Sequence, residues 1–327
     1  MNVTFYNRPK MAGAHSVEEV FTIIKNELRD EINITNFHCS SRWRRTHSLL
    51  NAHKYQGDVN HITGDVNHLA ITLSSRKTIL TLHDMRHYEQ DLKGVKKILF
   101  GTFKLGLPFR RVTKITTVSA FMKQRIVDEF SIAPAKIEVI HNPAPPDFMF
   151  HEKEFNTENP WILQIGSAPH KNLSRLMKAI GGLNFRLLLI RKKDAAIKKE
   201  LEEKGIEYRW TENIPRQKIY EWYKECDIVF FASEFEGFGV PVLEAQAVGR
   251  PVITSNVASM PEVAGEGAHI VNPYKVQEIR QALMDIKSNK TLRDDLVEKG
   301  RENLKRFSAS AIAGQYLNLY KRVADGS

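Results

Sequence analysis

Glu236 and Glu244 bracket the segment EGFGVPVLEA in a chain of 327 residues. Between them, Gly237 and Gly239 let the backbone approach a ligand closely. Pro241 suits the first turn of a following helix. The unpaired N–H groups near Gly239, Val240 and Val242 then face outward with the positive end of the helix dipole. That arrangement is an anion site, most naturally for a phosphate. Neither carboxylate suits the phosphate itself, but each is placed to accept hydrogen bonds from sugar hydroxyls. A tight turn with two solvated glutamates is the plainer reading, and a second segment weighs against it. At IGSAPHKN an apolar run again ends in a small-residue loop that opens a helix. Asn172 can cap that helix. Lys171 and His170 sit where its start would meet the same phosphates, and a lysine there gives a diphosphate a point charge.

The elements that must position these residues are legible around them. WILQIGS is the continuous apolar run of a buried parallel strand. The helix LSRLMKAIGG follows, then the strand FRLLLIR, a polar helix near Asp194–Lys204, EYRW, and the helix PRQKIYEWYKEC. The strand DIVFFAS, the helix PVLEAQAV, a stop at Gly249 and the strand PVITS complete an alternation that predicts a parallel doubly wound sheet. Beyond Pro273 the chain reads as helical. In the first half NVTFYN, NITNFHC, VNHIT, KTILTLHD and KITTVS read as strands, with a helix from about Val17 to Asp30 and Ser16 as its N-cap. The Pro- and Asn-rich stretch 141–160 reads as a linker. The fold class is therefore α/β. Domains are expected over 1–148 and 149–308, with a helix over 309–327 that packs back toward the first. A cleft between two such domains, at strand C-terminal ends, is the default ligand site.

The motifs resemble the retaining glycosyltransferases of family 4, which have the GT-B fold: two Rossmann-like doubly wound domains facing across a cleft. The resemblance covers most of residues 161–285, through IGSAPHKNLSRL, YEWYKECDIVFFAS, the Glu-x7-Glu of EGFGVPVLEA, GRPVITSNVASMPEVAG and NPYKVQEIRQAL. LTLHD, ITTVSAFMKQ and VIHNPA agree more loosely. The resemblance implies a nucleotide-diphosphate sugar as donor, no cofactor and no metal. It implies that Glu244 binds the donor ribose and that Glu236 contacts the sugar hydroxyls and helps place the transferring carbon. The backbone of Gly237, Phe238, Gly239 and Val240 would hold sugar and pyrophosphate, which Lys171 would neutralise. The family often pairs that lysine with an arginine just after the strand glycine. Here Ser167 stands there, leaving His170 or another cation to substitute. Ile214 matches a position whose backbone meets the nucleobase. His83 matches a histidine that reaches the donor sugar from across the cleft, so Glu236, His83 and Lys171 carry the catalytic roles.

The first half faces the acceptor in this fold. Asp84 follows His83, and His87 lies one helical turn further. By ligand type these three also admit a metal, although Lys171 and two helix starts already serve the phosphates. His61 and Asp65, in VNHITGDVNHL, lie at another strand end and are acceptor-side candidates. AGAHSVEEVF resembles the loop after the family's first strand, so Gly13 and Ser16 would line the acceptor entrance. The implied acceptor is a glycan or lipid-linked glycan. A nucleotide-sugar epimerase or phosphorylase on the same fold, and a catalytically silent scaffold, are the rival readings. Sugar appearing on an acceptor separates them.

The net charge of +10 is uneven, for residues 1–150 carry 21 basic and 14 acidic side chains. That half meets an anionic partner more readily. No acid interrupts Lys93–Lys114, where Lys93, Lys96, Lys97, Lys104, Arg110, Arg111 and Lys114 interleave with Leu99, Phe100, Phe103, Leu105, Leu107 and Phe109. Two readings stay open: a segment lying at an anionic bilayer surface, or an ordinary amphipathic helix with Phe in the core. No nucleic-acid motif accompanies the charge, so nucleic acid is not an expected partner. Two distant cysteines exclude a disulfide scaffold. With no secretory signal layout and no long apolar run, the expectation is a cytoplasmic protein, peripheral on the inner membrane face if the basic segment binds lipid.

Overall fold

Central apolar strands buried on both faces organise the two sheets of this computed structural model, which describes residues 1–9, 16–39 and 45–326. The first sheet holds β1 (Asn2–Asn7), β2 (Asn33–His38), β3 (Val59–Ile62), β4 (Thr78–Leu82), β5 (Lys114–Thr117) and β6 (Ile137–Val139), in the order β2-β1-β3-β4-β5-β6. The second holds β7 (Trp161–Ile165), β8 (Arg186–Ile190), β9 (Tyr208–Thr211), β10 (Ile228–Phe231), β11 (Val252–Ser255) and β12 (His269–Val271), in the order β12-β11-β10-β7-β8-β9. Every pairing is parallel. Parallel sheets need helices on both faces, which is why TILTL and IVFF are buried at every position.

The chain divides into two compact units, Met1–Pro143 with Phe307–Ser327, and Ala144–Arg306. The sequence-read boundaries at 148 and 308 fall a few residues later. In the first unit, helix Ser16–Leu28 and helix Ala309–Ala324 pack against each other. Their core joins Phe21 and Ile24 to Ile312, Tyr316 and Tyr320. In the second unit the strand order reverses at β7, which has β8 on one side and β10 on the other. Ligands of open α/β sheets bind beyond the strand ends at such a reversal. Below it, the buried Asp227 carboxylate accepts from the Trp161 N–H at 2.7 Å and the Asn156 N–H at 3.1 Å, and pairs with Lys153. That anchor fixes the lower ends of β7 and β10, whose upper ends carry the two motif loops.

Candidate active site

The loop after β7 is built around a lysine. Gly166 has φ +107°, and a Cβ there would sit 2.9 Å from Lys171 Cγ. Glycine thus lets the lysine stem lie flat over the backbone. The turn Pro169–Lys171 ends at Asn172, which is left-handed at φ 64° and starts helix Leu173–Ile180. Asn172 does not cap that helix as expected. Its side chain is buried, and its Nδ2 donates to the carbonyls of Ala232 at 3.0 Å and Pro273 at 2.8 Å. Its Oδ1 accepts from Arg175 at 2.9 Å, and Arg175 also pairs with Glu234. Two buried carbonyls needed donors, and that demand outweighs the cap.

The loop after β10 is equally constrained. Gly239 has φ +116°, and a Cβ there would meet Met260 Cε at 2.4 Å. Ser259 Oγ donates to the carbonyls of Glu236 at 3.0 Å and Phe238 at 2.7 Å, which pins the loop from below. Helix Val240–Val248 then begins with Pro241 in its first turn. One expectation is corrected here. The Val242 N–H is not free, because it donates to the Gly239 carbonyl at 3.0 Å. The orphan donors of that turn are those of Gly239 and Val240.

The two loops meet. Lys171 Nζ lies 2.5 Å from Glu236 Oε1, His170 Nε2 is 3.9 Å from the same oxygen, and the Glu234 N–H donates to the His170 carbonyl at 2.9 Å. Lys171 also lies 4.6 Å from the centre of the Phe231 ring. Ser167 is exposed, and its Oγ accepts from the Lys192 N–H at 2.7 Å. Ile214 is half-buried in the turn after β9. Glu244 is buried inside helix Val240–Val248. Tyr223 O–H donates to its Oε2 at 2.7 Å, and Arg216 Nη1 lies 3.4 Å from its Oε1. Arg216 in turn grips Asp147 at 2.6 and 3.1 Å. Burial and the neighbouring Glu244 charge push the Tyr223 hydroxyl pKa well up, so it stays a donor.

In the first unit, His83 is half-buried at the end of β4. Its Nε2 donates to the Thr63 carbonyl at 2.9 Å, which leaves Nδ1 an acceptor in the neutral ring. Burial pulls its pKa down, and the Thr63 bond opposes that. His61 cannot serve an acceptor as expected. It is fully buried, with its ring nitrogens at 2.7 Å from Tyr320 Oη and 2.7 Å from Thr81 Oγ1. Asp65 is exposed, 3.5 Å from Arg8 Nη1. Asp84 Oδ1 accepts from the Arg86 N–H at 3.1 Å, and His87 Nδ1 donates to Asp91 at 3.0 Å. His83, Asp84 and His87 thus point to separate partners, and no group of metal-ligand residues gathers among the described residues. Gly13 lies outside the described residues, as does the side chain of Ser16.

The basic stretch forms helix Gly94–Phe100, a wider π-type turn Gly101–Gly106 and helix Leu107–Arg111. Leu105 and Phe109 enter the core, whereas Val95, Ile98, Leu99 and Phe103 are all more than half exposed. No described helix is long and apolar enough to cross a membrane.

The model of the glycosyl transferases group 1 matches residues 147–303, and that of Glycosyltransferase Family 4 matches residues 22–148. The chain belongs to this family. Its fold is GT-B: Anabaena HepE, solved in complex with UDP and glucose, superposes with a TM-score of 0.79 over 98% of this chain and 99% of that one, at 14% identity. The O-antigen chain mannosyltransferase RfbU of Salmonella typhimurium is 27% identical over 67% of this chain and 63% of its own length. The O-antigen chain mannosyltransferase B of Escherichia coli is 29% identical over 49% of this chain and 45% of its own. The chain thus spans less than two thirds of either relative.

Within this family 4 chain, sequence reading passed over Arg216, Tyr223 and Asp147, which the structure gathers around the candidate residue Glu244. Arg216 and Tyr223 lie two turns apart on helix Arg216–Glu225, hence on one face, and that spacing was the available signal. A surface cavity of 480 Å³ lies elsewhere, between helix Ala195–Glu203 and β9, lined by Lys193, Lys198, Tyr208 and Trp210. Asp194 lines it as well, and none of the candidate catalytic or binding residues singled out from the sequence does.

Proposed function

We propose that this family 4 glycosyltransferase moves a hexosyl group from a nucleoside-diphosphate sugar to an acceptor hydroxyl, in glycan or cell-envelope polysaccharide synthesis. The carrying observation is the 2.5 Å Lys171–Glu236 contact, which joins two loops at the reversal of strand order. A diphosphate settling there draws Lys171 and frees the Glu236 carboxylate for the sugar hydroxyls. Lys171, with the N–H groups of Gly239 and Val240, stabilises charge on the leaving diphosphate without reorganisation. Ser167, His170, Gly237 and Phe238 complete the wall. Glu244, held by Tyr223 and Arg216, takes the ribose, and the backbone at Ile214 meets the base. His83 offers Nδ1 to a sugar hydroxyl, and Asp65, Asp84 and His87 serve the acceptor.

Retention is the outcome the family 4 membership suggests, and with no carboxylate assigned as nucleophile the route is attack on the front face. The acceptor oxygen bonds to the anomeric carbon on the face the diphosphate leaves. The bond from that carbon to the phosphate oxygen breaks, and the acceptor proton passes to the diphosphate. The reading needs no metal, because lysine and helix start supply the positive charge. Both O-antigen chain relatives are mannosyltransferases, which makes mannose the first sugar to try. The exposed apolar stripe among the lysines of 93–104 supports an anionic membrane face, and with it a lipid-linked glycan acceptor.

The test has two stages. UDP or GDP should raise Tm more than the matching nucleoside does. With the donor so identified, Lys171→Ala, which removes one transition-state donor, should slow sugar transfer by roughly 100-fold, and Glu236→Gln, which weakens the acceptor for the sugar hydroxyls, should slow it as well. Transfer at the parent rate in both variants would end this reading.

A further inference from the structure

Three arginines are buried in the second unit: Arg191 at 8% exposure, Arg250 at 4% and Arg293 at 9%. A buried guanidinium must find acceptors or a counter-ion. Arg250 finds acceptors, donating to the carbonyls of Tyr223, His151, Val248, Gly249 and Lys224. Arg293 donates to the carbonyls of Ile286 and Lys287 and lies over the Phe155 ring. Arg191 is different. Its guanidinium lies 5.9 Å from the centre of the Trp210 ring but makes one hydrogen bond only, from Nη2 to the Ser167 carbonyl at 3.1 Å, and its buried Nε has no partner. No carboxylate pairs with it among the described residues. The acid that most affects it, Asp194, is occupied in capping helix Ala195–Glu203.

Its position says what would satisfy it. Arg191 directly follows β8, where its own N–H bonds the Thr211 carbonyl at 3.0 Å and its carbonyl accepts from Trp210 Nε1 at 2.9 Å. Its backbone is therefore fixed. The guanidinium rests on Ser167, the neighbour of Gly166, and the Lys171 stem lies on Gly166. Two cations thus dock on adjacent residues of one loop, and Glu236 answers only the lysine.

We propose that Arg191 is the second cation of the diphosphate site, and that a phosphate oxygen bound at the Gly166–Ser167 turn is the counter-ion its guanidinium lacks. The assignment rests on the diphosphate reading above. It explains how a loop with serine at position 167 can still hold two negative charges. Burial lowers the Arg191 pKa, as it does those of Arg250 and Arg293.

The test is calorimetric titration of the full chain with UDP and GDP, each against its nucleoside. Arg191→Gln should lose roughly 10- to 100-fold in diphosphate affinity, the worth of a charged hydrogen bond, with nucleoside affinity unchanged. Arg191→Lys keeps the charge without the fork and should lose a smaller part. The ratio of diphosphate to nucleoside affinity is a quantity that a merely structural arginine would not move. An undiminished ratio in either variant that folds overturns the assignment. A parent protein that does not prefer the diphosphates to the nucleosides fells the diphosphate site itself, and with it the function proposed above.

Discussion

The Tyr223 hydroxyl ties the buried Glu244 to a second helix, so donor binding and local order share one hydrogen bond. Tyr223→Phe leaves that carboxylate one donor short in a buried setting, at a cost of about 1–3 kcal/mol. The expected outcome is a lower Tm and a KM for the donor raised about tenfold, with kcat nearly unchanged, read from steady-state transfer kinetics. An unchanged KM would show that Glu244 does not meet the donor. At this scale the sequence marked out Lys171 and Glu236, which fall where apolar strands give way to helices, and the structure brings the two into contact. It did not single out Arg191. An arginine closing an apolar strand looks like any strand end, and its want of a paired carboxylate depends on what the loop after β7 and β9 place around it. His61 misled for the same reason. Its strand-end position was legible, but the Tyr320 hydroxyl that occupies it comes from a helix far along the chain.

Elements with long apolar runs were legible and short ones were not. β6 and β12 have three residues each, too few to display a pattern, and pairing with β5 and β11 defines them. The segment 93–114 read as one amphipathic stretch, yet the structure breaks its helical phase at Gly101–Gly106. A Cβ at Gly101 would strike the Tyr88 ring at 2.8 Å, so the ring selects glycine there. The wider turn rotates Leu105 and Phe109 inward and leaves Val95, Ile98, Leu99 and Phe103 outside, beside the exposed Lys93 and Lys96. The core reading holds for Leu105 and Phe109, and the exposed stripe leaves the membrane reading to experiment. If the outer stripe lies on lipid, the protein should sediment with phosphatidylglycerol vesicles and not with phosphatidylcholine ones. Lys93→Glu with Lys96→Glu should weaken that binding by about 1 kcal/mol per lost cation, and Ile98→Ser with Phe103→Ser should abolish it. Equal sedimentation with both lipids, or with neither, would retire the membrane reading.

For the whole molecule, alternation of strands and helices announced two doubly wound sheets, but not the strand orders, which depend on pairings remote in sequence. Nor could it show how deeply the last helix enters the first unit. Tyr316 and Tyr320 from that helix enclose His61 with Phe5 and Phe21. Burial first, and the nearby His83 second, push the His61 pKa down from 6.5 to about 3. The unfolded chain therefore takes up a proton below pH 6.5 that the folded chain refuses until about pH 3. Stability from this group is complete above pH 6.5 and declines as pH falls through that window, by about 1.4 kcal/mol per unit. Tm should drop accordingly between pH 6.5 and 4, and His61→Gln should flatten the drop. An identical slope in the variant would assign the acid sensitivity to other groups.

That last helix also bears on biosynthesis. Residues 144–306 form a continuous unit, whereas the other unit is closed by residues from 307 onward. A nascent chain would present the first sheet with the surface over Phe21 and His61 uncovered until the ribosome has delivered Tyr320. The later-made unit can finish its core first, and the earlier-made one waits for the closing residues.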